Sequence, residues 1–354
     1  MKLLEKGRDM SNRESIFISA VRSFCKTLGV VIGIFIAFIL AILAISPLSS
    51  PTILPEKSEM IIASDAEDNR TILPEHVPVI LKINVQGIIG MQDLTAQSFQ
   101  DLLYDSRQNP LGKRVEAILL YIDSPGGSAI DSESIYLALM DYKKKYNIPI
   151  FAFVEGLCAS GGMYIACAAD KIYATSGSIV GSVGVILGRS FFNFSPLMAK
   201  LGIESLTISQ GKDKDMLNPY RPWQPGEDCS LVNLTKESYD QFVSVVAANR
   251  PNMDKQKLID VYGAQVYLAP TAMNLGYIDT SGATYFQTIK ELVAATSIKD
   301  APYQVIELRR QRNFLSMLTQ DSFGLLSGKV RHELELGPQA NPEFNGKLLY
   351  LYQP

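Results

Sequence analysis

The stretch that decides the fold is VEAILLYIDSPGGSAIDSESIYLALMDYKKKYNIPIFAFVEGLCASGGMYIACAADKIYAT, residues 115–175. Near-continuous apolar runs at 115–122 and 148–154 are typical of parallel strands that are buried on both faces. Between them, residues 131–146 carry apolar side chains at helical spacing, and a helix of small residues and a third strand complete the stretch. This βαβ rhythm predicts an α/β domain with right-handed crossovers and functional groups at the carboxyl ends of its strands.

Further elements are predicted on both sides of this stretch. Residues 81–85 alternate between apolar and polar side chains, which indicates a strand with one covered face. Helices are predicted over 235–249, with Thr235 as the N-cap, and over 254–262. From Ala301 onward the pattern is irregular and predicts no particular element.

The composition excludes several classes of protein. The chain has 354 residues, of which 47% are hydrophobic and 19% charged, so it is long and apolar enough for a sizeable core and is not disordered. A net charge of -3 without a long basic run argues against a nucleic-acid surface. The only histidines, His76 and His332, lie in no motif for a catalytic triad or a metal site. No metal or other cofactor is expected.

An apolar run near the N-terminus indicates a membrane segment. Residues 28–45 are all apolar or glycine, which is about the length that spans a bilayer as a helix. Six basic and three acidic residues precede this run, so the positive-inside rule predicts a cytoplasmic N-terminus and a domain outside the cytoplasm, anchored in the cytoplasmic (inner) membrane. The long N-terminal region and Pro47 favour an uncleaved anchor over a cleaved signal peptide.

The sequence therefore divides into five predicted parts. They are a cytoplasmic segment (1–27), a transmembrane helix (28–45), a linker rich in Pro, Ser and acidic residues (46–75), a folded domain (76–300) and a C-terminal extension (301–354). The cysteines show no disulfide framework, and those within the apolar part of the folded domain are interpreted as buried small hydrophobes.

Three glycine-bearing segments carry the candidate chemistry: DSPGGS at 123–128, ASGGM at 159–163 and GSVGV at 181–185. Ser160 occupies a strand-to-helix turn, where its hydroxyl can be exposed and free backbone N–H groups and the helix dipole favour negative charge. With glycine at both positions, the N–H groups of Gly127 and Gly161 can form a two-donor oxyanion hole. Each segment alone is also typical of a tight turn, with Ser160 as an N-cap. Their placement on consecutive βα turns favours the catalytic interpretation.

A serine nucleophile needs a base, and here a lysine is the available candidate. Its amine must be neutral, which requires its pKa to fall from ~10.4 towards ~7 to 8. The segment GKDKDM at 211–216 offers Lys212 and Lys214. Spacing alone does not choose between them, and a solvated charged loop is the alternative interpretation of this segment.

Taken in order, these residues resemble the signal peptide peptidase A family of membrane-bound serine peptidases, in its short form. The resemblance covers about residues 79–295. It rests on an ordered set of motifs, which are Pro125-Gly-Gly, Ala159-Ser-Gly-Gly-Met-Tyr164, Gly181-Ser-Val-Gly-Val185 and Gly211-x-x-Lys214-Asp215. The resemblance implies a Clp-protease/crotonase-like α/β domain of repeated ββα units, preceded by one N-terminal transmembrane helix.

The resemblance also implies roles for individual residues. Ser160 is the nucleophile, Lys214 is the general base of a Ser/Lys dyad, and Ser182 hydrogen-bonds the lysine amine. Gly127 and Gly161 donate to the oxyanion. A short-form member is expected to assemble as a homo-oligomer in which Ser160 of one subunit meets Lys214 of its neighbour, so the two side chains should be too far apart for a hydrogen bond within one chain.

The expected function is hydrolysis of remnant signal peptides and other extended apolar peptides at the bilayer, through an acyl-enzyme. Two alternatives from other classes are retained. One is a catalytically idle, membrane-anchored scaffold that binds peptides, and the other is a crotonase-like acyl-CoA enzyme. Labelling with a serine-directed fluorophosphonate distinguishes the scaffold from the peptidase.

Overall fold

A computed structural model of the chain describes residues 16–45, 58–108, 110–188, 190–298, 301–310 and 347–352. The chain divides into two compact units, Met1–Glu56 and Lys57–Pro354. The first contains helix α1, Ile16–Ile45. Its portion Ser19–Phe38 has 20 residues and a mean hydropathy of 1.8, and none of its most apolar stretch is buried against the rest of the protein. It is therefore long and apolar enough to cross a membrane. The predicted membrane segment, 28–45, lies within this longer helix.

The second unit is an α/β domain. Its strands are β1 (Ser58–Ala63), β2 (Val79–Gln86), β3 (Val115–Ser124), β4 (Gly126–Ser128), β5 (Ile150–Ala159), β6 (Lys171–Ala174), β7 (Ile179–Gly181), β8 (Ile186–Leu187), β9 (Val266–Leu268), β10 (Thr280–Ser281), β11 (Gln304–Arg310) and β12 (Leu348–Leu351). Its helices are α2 (Ala96–Asp105), α3 (Ala129–Tyr146), α4 (Gly161–Ala166), α5 (Ser195–Lys200), α6 (Cys229–Asn249), α7 (Lys255–Lys257), α8 (Ala269–Asn274) and α9 (Tyr285–Ala294). A 3₁₀ turn spans Gly112–Arg114 and a π-helical turn spans Leu258–Tyr262.

The main sheet has the strand order β1-β11-β2-β3-β5-β6-β10, and β7 and β9 branch from the end of β5. The central pairs are parallel, whereas β1 runs antiparallel to β11 at the edge. A second, three-stranded sheet has the order β4-β12-β8. The βαβ rhythm predicted for 115–175 is confirmed, because parallel strands need helical crossovers to return to the same edge of the sheet.

Both faces of the main sheet are covered, which explains the near-continuous apolar runs of β3 and β5. One face packs against α3 and α4 in the larger cluster of buried residues. The other face contributes Ile80, Leu119 and Phe153, which pack with Ile289 and Leu292 of α9. The strand predicted from the alternation at 81–85 is confirmed. Its second face, for which no cover was predicted, is buried at Ile80.

The predicted boundaries of the folded domain, 76 and 300, are too narrow. The linker expected over 46–75 includes β1, which pairs with β11, and β11 lies in the expected C-terminal extension. Strand β11 is itself inserted beside β2, with Ile306 opposite Leu81. Backbone groups at a sheet edge need partners, and these two segments supply them. Residues 46–57 of the linker and residues 311–346 and 353–354 of the extension lie outside the described residues.

The predicted start of the long helix at Thr235 is wrong. Helix α6 begins at Cys229, and the Thr235 hydroxyl donates to the carbonyls of Leu231 and Val232 within the helix. A threonine bonded back to the preceding turn in this way lies in a helix interior and is not a cap. The predicted helix at 254–262 corresponds to α7 and the π-helical turn, and Asp254 caps it by accepting from the N–H of Lys257 at 3.0 Å.

Candidate active site

Ser160 lies at the turn between β5 and α4, in a conformation that side chains rarely adopt. Its φ is 55° and its ψ is -116°, and its side chain makes no capping hydrogen bond to the helix. The turn is fixed because the Ser160 N–H donates to the carbonyl of Gly181 at 2.9 Å and the N–H of Tyr164 donates to the Ser160 carbonyl at 3.0 Å. Backbone strain of this kind is typical of functional turns. A simple N-cap would account for neither the strain nor the unused hydroxyl.

Gly126 allows β4 to lie directly against this turn. Its φ is 94°, and a Cβ added there would lie 2.6 Å from the nitrogen of Gly161 and 3.0 Å from the Cβ of Ser160. No side chain fits at this distance. The glycine pair that follows β3 and the serine that follows β5 are therefore in contact, as expected for the carboxyl ends of neighbouring parallel strands.

Gly127 directs its backbone N–H and C=O away from Ile89, its neighbour on one side of β4. On one side of β4, the N–H of Ile89 donates to the carbonyl of Gly126 at 2.8 Å, and the N–H of Ser128 donates to the carbonyl of Ile89 at 2.9 Å. Successive peptide groups of a strand point to opposite sides, so the N–H and C=O of Gly127 point towards β12. Tyr350 is its register partner there.

Strand β12 lies in the groove between β4 and β8 as an extended, antiparallel peptide. The N–H of Tyr352 donates to the carbonyl of Pro125 at 2.7 Å. Hydrogen-bonded pairs recur at every second residue of an antiparallel ladder, which makes Gly127 and Tyr350 the next such pair. The Tyr350 carbonyl oxygen lies 2.0 Å from a Cβ added at Gly126 and 3.1 Å from one added at Gly161. It therefore lies beside both predicted oxyanion donors.

Ser182 follows β7, the strand that pairs in parallel with the end of β5 and places Gly181 opposite Ala159. Its φ is 56° and the residue is buried, with 6% of its surface exposed. The N–H of Ser182 donates to the carbonyl of Gln265 at 2.7 Å, which ties this turn to the start of β9. Ser182 thus lies on the strand end adjacent to that of Ser160, in a second turn with a positive φ.

The candidate lysines lie on an exposed turn and not in the cluster of Ser160, Ser182 and the glycines. Lys212 and Lys214 are both exposed, on a turn in which the Lys214 N–H donates to the carbonyl of Gly211 at 3.3 Å. Within the part of the chain that the structure describes, no hydrogen bond joins Lys214 to Ser160 and neither lysine forms an ion pair. The structure thus brings Ser160, Ser182 and the glycines together, but not Lys214.

Asp215, next to Lys214, is held by other partners. Its carboxylate accepts from Arg221 Nε at 2.6 Å and from Asn218 Nδ2 at 2.6 Å. These hydrogen bonds, above all the one from Arg221, hold the pKa of Asp215 below its usual value. Because its charge is directed at Arg221, this aspartate does not form an ion pair with Lys214.

The buried thiols near Ser160 are unsuited to nucleophilic chemistry. Cys158 and Cys167 are both buried. Burial raises the pKa of Cys158, and it raises the pKa of Cys167 to about 12. A thiol attacks as its thiolate, so these residues pack as small hydrophobes, as the sequence predicted.

Sequence reasoning missed the part of the site that comes from the C-terminal strand. Tyr350 is 2% exposed, and its ring stacks on Tyr164 with centroids 5.3 Å apart. The available signal was the apolar segment LLYL at 348–351. Four residues isolated at the end of an irregular extension are too short for periodicity to identify a strand.

Comparison with known families agrees with this architecture. The model of peptidase family S49 matches residues 142–298, a range that includes Ser160, Ser182 and Lys214. The Clp protease model matches residues 82–178. The second match, together with the mixed α/β sheet, confirms the Clp-protease-like fold class.

Individual relatives are similar over much of the chain. "Putative protease slr0021" of Synechocystis is 34% identical over 250 residues, which cover 68% of this chain and 86% of that protein. "Putative signal peptide peptidase SppA" of Enterococcus faecium is 34% identical over 209 residues, 57% of this chain and 60% of that protein. The chloroplastic serine protease SPPA of Arabidopsis thaliana is 32% identical over 173 residues, 48% of this chain and 24% of that protein. The chain therefore belongs to peptidase family S49, the signal peptide peptidase A family of serine peptidases.

Proposed function

We propose that this serine peptidase hydrolyses remnant signal peptides and other extended, largely apolar peptides, with Ser160 as the nucleophile and Lys214 as the general base. The observation that carries the proposal is the strained turn of Ser160, with an uncapped hydroxyl, packed against Gly126. Strain at a strand-to-helix turn, next to free amides at a helix start, is the arrangement that acyl transfer requires.

The proposed reaction gives each of these groups a role. The neutral Lys214 amine takes the Ser160 proton as Oγ attacks the peptide carbonyl carbon. The N–H groups of Gly127 and Gly161 hold the oxyanion, and the protonated lysine then gives its proton to the leaving amine. Water, activated by the lysine, hydrolyses the acyl-enzyme and restores Ser160. Ser182, on the neighbouring strand end, is assigned the hydrogen bond that orients the lysine amine.

The groove between β4 and β8 supports an extended apolar substrate. Strand β12 occupies this groove with the segment LLYL and pairs through its main chain. Main-chain pairing accepts any sequence in extended form, and side-chain pockets then select among sequences. Signal-peptide remnants are apolar and fit this groove once they are unwound.

The position of Lys214 supports an active site shared between subunits of a homo-oligomer. It is exposed in the single chain, on a segment that also exposes Leu206 (87%) and Ile208 (86%). Large apolar side chains exposed together are typical of an interface. A neighbouring subunit that covers this segment would remove the lysine from water, which favours its neutral form.

The helix α1 supports a membrane anchor. With its N-terminus in the cytoplasm, as the flanking charges predict, the peptidase unit lies outside the cytoplasm near the bilayer. Peptides left in the membrane after secretion are then the substrates to which the peptidase has access.

The proposal is tested by hydrolysis of a fluorogenic signal-peptide sequence by the full-length chain in detergent or vesicles. Ser160→Ala is expected to lower kcat by at least about ten-thousandfold while assembly is retained. Ser176→Ala, at an exposed serine, is the matched control and should hydrolyse normally. Full activity of Ser160→Ala would reject the nucleophile, and wild-type protein that binds but never cleaves would favour the peptide-binding scaffold.

A further inference from the structure

The turn that carries Lys214 is strained on both sides of the lysine. Asp213 and Leu217 have φ values of 60° and 51°, in the left-handed region that side chains seldom occupy. Two backbone hydrogen bonds close the turn, from Lys214 to the carbonyl of Gly211 at 3.3 Å and from Met216 to the carbonyl of Asp213 at 3.1 Å. A strained conformation persists only where surrounding contacts impose it, so groups outside the turn must hold this shape.

Arg221 holds the turn through its guanidinium group. Its Nε donates to the Asp215 carboxylate at 2.6 Å, and its Nη2 donates to the backbone carbonyl of the same residue. Its Nη1 forms an ion pair with Glu227 at 2.8 Å and donates to the Pro222 carbonyl at 3.0 Å. Each nitrogen of the guanidinium thus has an acceptor, and two of the three hold the residue directly after Lys214.

Glu227, just before α6, binds both the arginine and the turn. Its side chain is 10% exposed, and its Oε2 pairs with Arg221 while its Oε1 accepts from the N–H of Leu217 at 3.2 Å. One carboxylate therefore holds the strained end of the turn and orients the guanidinium. A planar fork of donors fixes the direction of its acceptors, which the single ammonium of a lysine would not do.

The same contacts govern the charge next to Lys214. Asp215 follows the lysine directly, and a carboxylate free to face an amine favours the protonated amine, which cannot act as a base. Arg221 and Asn218 bind both carboxylate oxygens, with Asn218 Nδ2 at 2.6 Å from Oδ1. The other charged side chains of residues 200–228, apart from Glu227, are exposed to water, which screens them. Besides Lys214 they are Lys200, Glu204, Lys212, Asp213 and Asp228.

We propose that Arg221 is a positioning residue, which holds the turn of Lys214 in its reactive orientation and keeps the charge of Asp215 away from the lysine amine. The inference rests on the proposed function, in which Lys214 is the base and the neighbouring copy contributes the uncharged Ser160 and Ser182. Arg221 acts only through Lys214. Its loss should therefore change turnover and the pH dependence of turnover more than substrate binding.

The first experiment measures kcat and KM against pH for Arg221→Met in the full-length, assembled protein. We expect kcat to fall by about tenfold to a hundredfold with KM within about twofold of wild type, because the lysine is misplaced while the peptide groove is intact. The acid limb of the kcat profile should move up by about one pH unit, since the freed Asp215 carboxylate favours the protonated, inactive amine. Adding Asp215→Asn should return the limb to its wild-type pH, although kcat stays low.

Two further variants separate positioning from folding. Arg221→Lys keeps the charge but not the fork, so kcat should fall by at least about threefold while the acid limb stays in place. Lys236→Met breaks an exposed ion pair with Asp240 on α6 and should behave as wild type. A merely structural role would lower kcat without moving the limb. An unmoved limb in Arg221→Met, a limb that Asp215→Asn does not restore, or wild-type kcat in Arg221→Lys would overturn the proposal.

Chemical labelling separates this inference from the proposed function. Acetic anhydride acetylates neutral amines, and mass spectrometry follows Lys214 over a pH series in the full-length Ser160→Ala chain, with Lys212 as the internal reference. The pH of half-maximal Lys214 labelling should rise by about one unit on adding Arg221→Met and return on adding Asp215→Asn. This result supports the role of Arg221 even if no peptide is cleaved. The same half-maximal pH in all three chains would overturn it even if Lys214 proves to be the base.

Discussion

Gly127 and Tyr350 are register partners in the antiparallel pair of β4 and β12. This relationship joins the glycine turn after β3 to the last strand that the structure describes. It places an extended peptide of the same chain against the turn of Ser160, with the Tyr350 carbonyl beside Gly126 and Gly161. In the single chain, the groove between β4 and β8 is therefore occupied by β12.

Removal of the Tyr350 side chain should make the groove more accessible. Tyr350→Ala loses the contacts with Tyr164 and Phe242 and two hydrogen bonds with Ser238, so β12 should dissociate. We expect kcat/KM for an external peptide to rise by at least about fivefold, because a larger fraction of the enzyme is competent to bind. Tyr352→Ala, two residues further along, is the control. An unchanged or reduced kcat/KM in Tyr350→Ala would show that β12 does not compete with substrate.

The two lysines of the 211–216 turn make a matched pair. Lys214→Ala should lower kcat by about a hundredfold to ten-thousandfold, as expected for loss of a general base, and Lys212→Ala should not. Lys214→Arg keeps the positive charge but has no accessible neutral form, so it should be as inactive as Lys214→Ala. Steady-state hydrolysis of one fluorogenic peptide measures all three. A loss confined to Lys212→Ala would move the base to the other lysine.

If the dyad is shared, two inactive variants should complement each other. Chains with Ser160→Ala are co-expressed with chains carrying Lys214→Ala, and the mixed oligomers are purified. In a ring with head-to-tail contacts, a random equal mixture gives an intact Ser160–Lys214 pair at about one site in four. Hydrolysis should therefore recover to about a quarter of the wild-type rate. Mixed oligomers without activity would mean that each chain builds its dyad alone.

The close approach at Gly126 makes a steric prediction. In Gly126→Ala the new Cβ would lie 2.0 Å from the Tyr350 carbonyl and 2.6 Å from the Gly161 nitrogen, at a φ of 94°. Both the backbone strain and the contact with Gly161 should displace the oxyanion donors, and loss of one such donor costs about a hundredfold to a thousandfold in kcat. Gly177→Ala, where a Cβ meets nothing within 4 Å, is the control for activity and thermal unfolding. Normal turnover by Gly126→Ala would contradict this oxyanion geometry.

The sequence predicted the central sheet because its signals are local. Apolar runs at 115–122 and 148–154 are typical of buried parallel strands at that length, and the serine and glycine turns follow directly after them. Ser160, Gly127 and Gly161 could be brought together on this basis, since consecutive parallel strands end at the same edge.

The remaining parts depend on contacts between distant segments. Strand β1 reads SEMIIA and β11 reads QVIELRR, and neither pattern reveals that residues about 250 positions apart pair. The same holds for β12, whose four residues become a strand only because β4 and β8 present unpaired backbone groups to them. The partner of Lys214 has no local signal either, because in the proposal it belongs to another copy of the chain.

The most direct test of the central claim is the site of covalent labelling by a serine-directed fluorophosphonate on the assembled, full-length protein. Peptide mapping by mass spectrometry should find one adduct per chain, on Ser160, with labelling absent in Ser160→Ala and slowed in Lys214→Ala. An adduct on a different serine, or unlabelled Ser160 in an assembled oligomer that cleaves peptides, would contradict the account.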